Sequence, residues 1–123
     1  ITLIGYNFSV HLCLQAAERL AKDGINAEVL DLRVLKPLDR ETIRRSVEKT
    51  HRVLVAEEDE APVGVGSEIM ATVIEDCFFA LDAQPVRIHA ADVPVPYAAN
   101  LEQAAIPNVE DVYKGALKVM GRI

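Results

Sequence analysis

Apolar residues fall along the chain in two alternating patterns. One consists of short, nearly continuous apolar runs, which are typical of strands buried on both faces of a parallel sheet. The other places apolar residues three and four positions apart, which is typical of helices that cover such a sheet. Strands are predicted at residues 2–4, 27–32, 53–56 and 86–90, and helices at about 9–23, 40–49, 66–81 and 109–120.

This alternation predicts the fold class. Strand–helix–strand units produce parallel neighbouring strands and right-handed crossovers. We therefore expect a single domain over residues 1–123, an α/β fold with three layers, α/β/α, and a mainly parallel sheet of about four strands. Polar interruptions in the second predicted strand indicate a position toward an edge of the sheet. Because the first strand has no lead-in, we also expect the chain to be a fragment of a longer subunit.

Several residue types mark the predicted ends of helices. Ser9 and Asp39 are expected to cap the first and second helices, because their side-chain oxygens can accept hydrogen bonds from free N–H groups. Gly24 suits the position just after the first helix. Pro37 favours an extended connection before the second helix, because the residue preceding a proline avoids the helical conformation.

The helix predicted over residues 66–81 carries more apolar surface than the others. Ile69 and Val73 lie on one face, and Met70 and Ile74 lie on the adjacent one. This stripe is wider than one side of a sheet requires, so one interpretation is an interface helix that contacts another subunit or domain. The alternative is a central helix that is buried by its own neighbours.

An acidic stretch and two glycines connect the third strand to this helix. Four carboxylates, Glu57 to Glu60, are expected in a loop at the carboxyl end of the strand, where open α/β sheets bind ligands. Gly64 and Gly66 before the helix resemble a phosphate cradle. The carboxylates would repel a phosphate, however. We therefore predict that Glu57 or Glu58 accepts hydrogen bonds from the amides of residues 64–67, as a structural loop and helix cap.

Composition and charge narrow the function classes. Only 5% of the residues are aromatic, so the core is expected to be aliphatic. The formal net charge is −6, and Arg44–Arg45 is the longest basic run, which argues against nucleic acid or an anionic membrane as a partner. No apolar run reaches the length of a membrane span.

Cys13 and Cys77 are predicted to be buried thiols, and no metal site is expected, since no cysteine or histidine has a second ligand at the required spacing.

Motifs of a self-contained enzyme are missing from the sequence. There is no P-loop, and no glycine-rich dinucleotide fingerprint follows the first strand. The three histidines are scattered and suggest no catalytic arrangement. We predict no catalytic, cofactor-binding or metal-binding residue and interpret the chain as an interaction or assembly domain. The alternative is a small α/β enzyme or stand-alone ligand-binding domain that uses Tyr6, Glu57 and Glu58.

Three spaced motifs carry a resemblance to a known family. Residues 31–39 read DLRVLKPLD, residues 55–58 and 64–69 read VAEE and GVGSEI, and residues 91–102 read ADVPVPYAANLE. These segments resemble the transketolase C-terminal domain of the beta subunits of thiamin-dependent 2-oxoacid dehydrogenases, in the pyruvate dehydrogenase form. The resemblance covers essentially the whole chain. It implies a three-layer α/β/α fold whose antiparallel edge strand would precede Ile1. Asn7 departs from the family, which usually has glycine there.

The resemblance also implies a role. Enzymes of this family use thiamin diphosphate and magnesium to decarboxylate a 2-oxoacid, and both cofactors bind outside this domain. The implied partners are the N-terminal domain of the beta subunit, the alpha subunit, a second beta subunit and the subunit-binding domain of the acyltransferase. By position, Asp82 and the terminal carboxylate of Ile123 match the family's partner-docking groups.

The expected function is therefore subunit assembly and acyltransferase docking in a pyruvate dehydrogenase, and the chain is expected to be inactive alone. The alternative within the family is an acetoin or branched-chain 2-oxoacid dehydrogenase, since substrate choice lies outside this segment. The expected location is the bacterial cytoplasm or the mitochondrial matrix.

Overall fold

The fold was obtained as a computed structural model, which describes residues 1–94 and 97–123. The strands are β1 (Thr2–Gly5), β2 (Glu28–Asp31), β3 (Val53–Glu60) and β4 (Val86–Ala90). The helices are α1 (Phe8–Lys22), α2 (Arg40–Thr50), α3 (Val65–Cys77), α4 (Ala99–Ala105) and α5 (Val109–Val119), with a 3-10 turn at Phe78–Ala80 after α3.

The four strands form one sheet in the order β2-β1-β3-β4, and every neighbouring pair is parallel. The central strands β1 and β3 pair in register, so that Leu3 lies beside Leu54 and Ile4 beside Val55. All four of these side chains are fully buried, as the continuous apolar runs predicted. The edge position predicted for the second strand is confirmed.

Each face of the sheet is covered by a pair of helices. Successive strand residues point to opposite faces. Leu3 and Leu54 therefore pack with α1 and α5, whereas Ile4 and Val55 pack with α2 and α3. The two resulting aliphatic cores confirm the predicted three-layer α/β/α architecture.

The start of α1 differs from the prediction. Asn7, and not Ser9, occupies the N-cap position, with φ of 52°. This left-handed backbone favours glycine, which explains why a glycine suits the position and why asparagine is tolerated there. Ser9 is buried one residue inside the helix, and its hydroxyl donates to the Tyr6 carbonyl at 2.7 Å. By contrast, Asp39 caps α2 as predicted, because its Oδ1 accepts from the Thr42 N–H at 3.0 Å.

Two boundaries were wrong, and one helix was missed. Residues 57–60 are not a loop, because β3 continues through them and pairs Glu60 with Ala90 of β4. The helix predicted to reach residue 81 ends at Cys77, where the chain tightens into the 3-10 turn at Phe78–Ala80, and the Asp82 N–H beyond it donates to the His51 carbonyl. The short helix α4 was not predicted, because only Ala105 within it is buried and no apolar repeat marks it.

The residues of the predicted interface helix are divided between the inside and the outside of the domain. Ile69 and Val73 are fully buried in the core that α3 shares with β3. Met70 is half-buried against the same core, and Ile74 is 42% exposed. Among these four residues only Ile74 therefore presents substantial apolar surface to the outside.

The predicted connection over residues 91–100 is described only in part. Residues 95–96 lie outside the described residues. Within the described part, the Ala91 N–H donates to the Ala105 carbonyl at 2.8 Å, which joins the end of β4 to the end of α4.

Candidate functional sites

The carboxylate of Glu57 lies buried between β3 and the start of α3. The Gly66 N–H donates to its Oε2 at 2.6 Å, and the Tyr6 hydroxyl donates to the same oxygen at 3.1 Å. An anion at this place satisfies a free N–H of the helix and interacts favourably with the helix dipole. The prediction of a carboxylate supplied by the protein itself is confirmed for Glu57. Glu58 is exposed and makes none of these contacts.

The two glycines make room for this carboxylate. A Cβ added to Gly66 would overlap the Glu57 carboxyl group, and one added to Gly64 would lie 2.8 Å from Glu57 Oε2. Neither glycine has a positive φ, so their role is close approach and not backbone freedom. The sequence pattern that resembles a phosphate cradle is therefore a cradle for a side chain of the same chain.

The second oxygen of Glu57, Oε1, has no hydrogen-bond partner among the described residues. The nearest cation is the guanidinium of Arg87 on β4, whose Nε lies 4.0 Å away. Arg87 Nη1 donates instead to the hydroxyl of Ser67, in the first turn of α3. Arg87 thus links β4 to the start of α3 and offsets the buried negative charge. Sequence reasoning missed it, although an arginine inside a predicted strand was a usable signal.

Tyr6 closes the network from the end of β1. Its hydroxyl also donates to Asp59 Oδ2 at 2.7 Å, so it bridges two carboxylates. Burial, followed by the hydrogen bond to Asp59, raises the pKa of Tyr6 well above its usual value. Tyr6 therefore stays protonated as a donor and is poorly suited to act as a base at neutral pH. The predicted alternative site is only partly assembled, because Tyr6 and Glu57 meet but Glu58 does not join them.

The chemistry that this network offers is limited. The amide that could bind a phosphate is already occupied by Glu57, so the diphosphate of a cofactor does not fit here. Among residues 1–94 and 97–123, no group of three acidic, histidine or cysteine side chains could hold a metal ion. Both cysteines are free and buried, and burial raises the pKa of Cys13 to about 12. The network is built to join β1, β3, β4 and α3.

The predicted docking residues lie near the opposite end of the sheet. Asp82 follows the 3-10 turn and is exposed, and no cation among the described residues lies within 4.0 Å of its carboxylate. Ile123 is 72% exposed. Asp82 lies in a groove that includes Pro85, and Ile123 in a groove that includes Val86. The two predicted residues therefore lie in separate grooves, which have no lining residue in common.

The fold and its motifs define a class of domain. The family described as transketolase, C-terminal domain, matches residues 1–112. The chain belongs to this family.

Within the family, the chain is similar to particular subunits. It is 50% identical over 122 residues to the pyruvate dehydrogenase E1 component subunit beta-1, mitochondrial, of Oryza sativa, covering 99% of this chain and 33% of the relative. It is 44% identical over 119 residues to the pyruvate dehydrogenase E1 component subunit beta of Rickettsia bellii, covering 97% of this chain and 37% of the relative. The chain thus spans about a third of the length of these relatives.

A solved structure agrees with membership of the transketolase C-terminal domain family. The inactive beta4 tetramer of a split-gene transketolase superimposes with a TM-score of 0.83 at 28% identity, covering 98% of this chain and 39% of that chain. Among the described residues, no helix combines the length and the apolar character needed to cross a membrane.

Proposed function

We propose that the chain is the C-terminal domain of the beta subunit of a pyruvate dehydrogenase E1 component, where it serves subunit assembly and docks the acyltransferase. The observation that carries the proposal is the similarity to pyruvate dehydrogenase beta subunits, which reaches 50% identity over nearly the whole chain. The partners in assembly are the N-terminal domain of the beta subunit, an alpha subunit and a second beta subunit.

The cofactors of the whole enzyme, thiamin diphosphate and magnesium, bind outside this domain in this proposal. The occupied helix start of α3 supports that arrangement, because Glu57 takes the place that an anionic group would need. The chain alone has no decarboxylase activity. The location is mitochondrial or bacterial, in keeping with the relatives, and we assign it to the matrix or the bacterial cytoplasm.

Docking is assigned to Asp82 and the terminal carboxylate of Ile123. Both are exposed, and Asp82 is free of internal ion pairs among the described residues. An exposed carboxylate without an ion-pair partner, on a chain with a net charge of −6, suits a small basic domain, because opposite charges steer association and fix orientation. An acetoin or branched-chain enzyme remains the alternative, and the pyruvate dehydrogenase relatives favour the first assignment.

The test is calorimetric titration of the chain with the acyltransferase subunit-binding domain at low and at high salt. We expect binding that weakens with salt and that weakens further in Asp82→Ala. The matched control is Glu58→Ala, which removes the same charge from the other end of the sheet and should bind like the wild type. Absence of binding by the wild-type chain, or decarboxylation of pyruvate by the chain alone with thiamin diphosphate, would contradict the proposal.

A further inference from the structure

Two adjacent exposed aromatic side chains lie beside Asp82. Phe79 is 99% exposed and Phe78 is 58% exposed, and Ile74 of α3 adjoins them in the same groove. Two such rings in a chain with only three phenylalanines are a large exposure of apolar area. Apolar surface of this kind beside a charged side chain is typical of interaction sites.

The aromatic pair is held in place by contacts behind it. The rings of Phe78 and Phe79 meet edge to face with centroids 5.3 Å apart. The His51 ring nitrogen Nδ1 lies 2.8 Å from the Ala80 carbonyl, and the Asp82 N–H donates to the His51 carbonyl at 2.9 Å. The segment that carries the rings and Asp82 is thus fastened at two points to the junction of α2 and β3, which lowers the entropy lost when a partner binds.

The charges around the groove select the kind of partner. Arg40 is bound by Asp76 and Glu75 at 2.8 and 3.0 Å, so one cation offsets part of the charge of these two carboxylates, and neither of them lines the groove. Asp82 lies in the groove with no such partner among the described residues, and none of the residues that line the groove is basic. The groove therefore combines an uncompensated negative charge with exposed aromatic rings.

We infer that Phe78 and Phe79 are the apolar anchor of the docking surface, and that its occupant is a basic domain which inserts an apolar side chain between its cations. This inference rests on the proposed docking role and deepens it. Aromatic residues dominate the energy of many interfaces, whereas exposed charges chiefly govern association rate and salt dependence. The aromatic rings should therefore govern the affinity of binding, and the Asp82 charge should govern its salt dependence.

The experiment titrates wild type, Phe79→Ala and Asp82→Ala with the acyltransferase subunit-binding domain at several salt concentrations. We expect Phe79→Ala to weaken binding roughly tenfold or more at every salt concentration, with an unchanged salt slope. Asp82→Ala should weaken binding mainly at low salt and flatten the slope. The matched control is Val63→Ala, which truncates a 91% exposed apolar side chain elsewhere and should leave binding unchanged.

Three outcomes would overturn the inference. If Phe79→Ala binds like the wild type while Asp82→Ala binds weakly, docking survives and the aromatic anchor fails. If the wild type does not bind at all, the docking role fails and the inference fails with it. If sedimentation shows that the wild type self-associates, and Phe79→Ala abolishes this without affecting domain binding, the occupant of the groove is a second copy of the chain.

Discussion

The two ends of the sheet differ in how their polar groups are used. At the carboxyl end, the Gly66 amide and the Tyr6 hydroxyl both donate to Glu57 Oε2 inside the chain, and of that carboxylate only the buried Oε1 lacks a hydrogen bond among the described residues. At the other end, the Asp82 carboxylate makes no ion pair among the described residues, and the rings of Phe78 and Phe79 touch each other but remain exposed. The first end is a closed structural network, and the second is an open surface.

From the motifs alone, the carboxyl end of the sheet would be taken as the binding site, and the structure indicates the other end. The glycine-containing motif at residues 64–69 looks like a ligand site, but its glycines admit Glu57 of the same chain. The segment at residues 78–82 matches no ligand-binding motif, yet it leaves charge and apolar area unused. Whether a polar group is already satisfied therefore says more about binding than whether its motif is familiar.

The largest expected effect on stability concerns the network around Glu57 at the carboxyl end of the sheet. Alanine normally stabilises a helix by about 1 kcal/mol relative to glycine. At Gly66, however, a Cβ would collide with the Glu57 carboxylate, so we expect Gly66→Ala to lower the free energy of unfolding by about 2–3 kcal/mol. Urea denaturation would measure this change.

The control is the same substitution in a Glu57→Ala background. Removing the carboxylate removes the collision, so Gly66→Ala should then be neutral or stabilising. An equal loss of stability in both backgrounds would show that the glycine has another role and that the cradle interpretation is wrong.

A smaller effect is expected for Tyr6→Phe. This change removes the donor shared by Glu57 and Asp59, and because the hydroxyl is partly exposed we expect a loss of about 1 kcal/mol near neutral pH. The pKa of Tyr6 is raised in the folded state, so its stabilising contribution is complete below the unfolded value of 10.0 and decreases as the pH rises above it.

Urea unfolding just below and just above that pH would measure this dependence. The difference in stability between wild type and Tyr6→Phe should shrink as the pH rises. The exposed Tyr97 provides the matched control, since Tyr97→Phe should change stability by less than about 0.5 kcal/mol. A difference that does not vary with pH would contradict the proposed hydrogen-bond network.

The smallest effect on stability is expected at the open end. Phe79 is almost fully exposed, and Asp82 makes no ion pair among the described residues, so Phe79→Ala and Asp82→Ala should each change the free energy of unfolding by less than about 0.5 kcal/mol. Thermal unfolding would check this. A loss above 1 kcal/mol would mean that these side chains support the fold and would weaken their assignment to a binding surface.

Local patterns were sufficient for most of the fold. The apolar run at Val53–Ala56 located the central strand β3, and the spacing of apolar residues located α1, α2 and α5. The Asp39 cap could be predicted because its partner, the Thr42 amide, lies only three residues away. Interactions this short in sequence can be predicted from the residues themselves.

Other features could not be predicted, because they depend on contacts with distant parts of the chain. β3 continues through Glu57–Glu60 because its pairing with β4 resumes at Glu60, after a register shift between Ala56 and Glu60, and this main-chain pairing does not depend on the side chains. The helix end at Cys77 depends on where His51 lies. For the site, the sequence identified a carboxylate from Glu57 or Glu58, but it could not choose between them or find Arg87.

The sequence by itself determined the class of this protein: the order of its strands and of the helices that cover them, an aliphatic α/β/α core and the motifs that place it in the transketolase C-terminal domain family. Periodicity and short-range capping carry this information, because they act between residues close along the chain. The tertiary structure alone decided which groups remain free. It buries Glu57 against Gly66 and leaves Asp82 beside two exposed rings, since satisfaction of charge and burial of area depend on contacts between residues far apart in sequence.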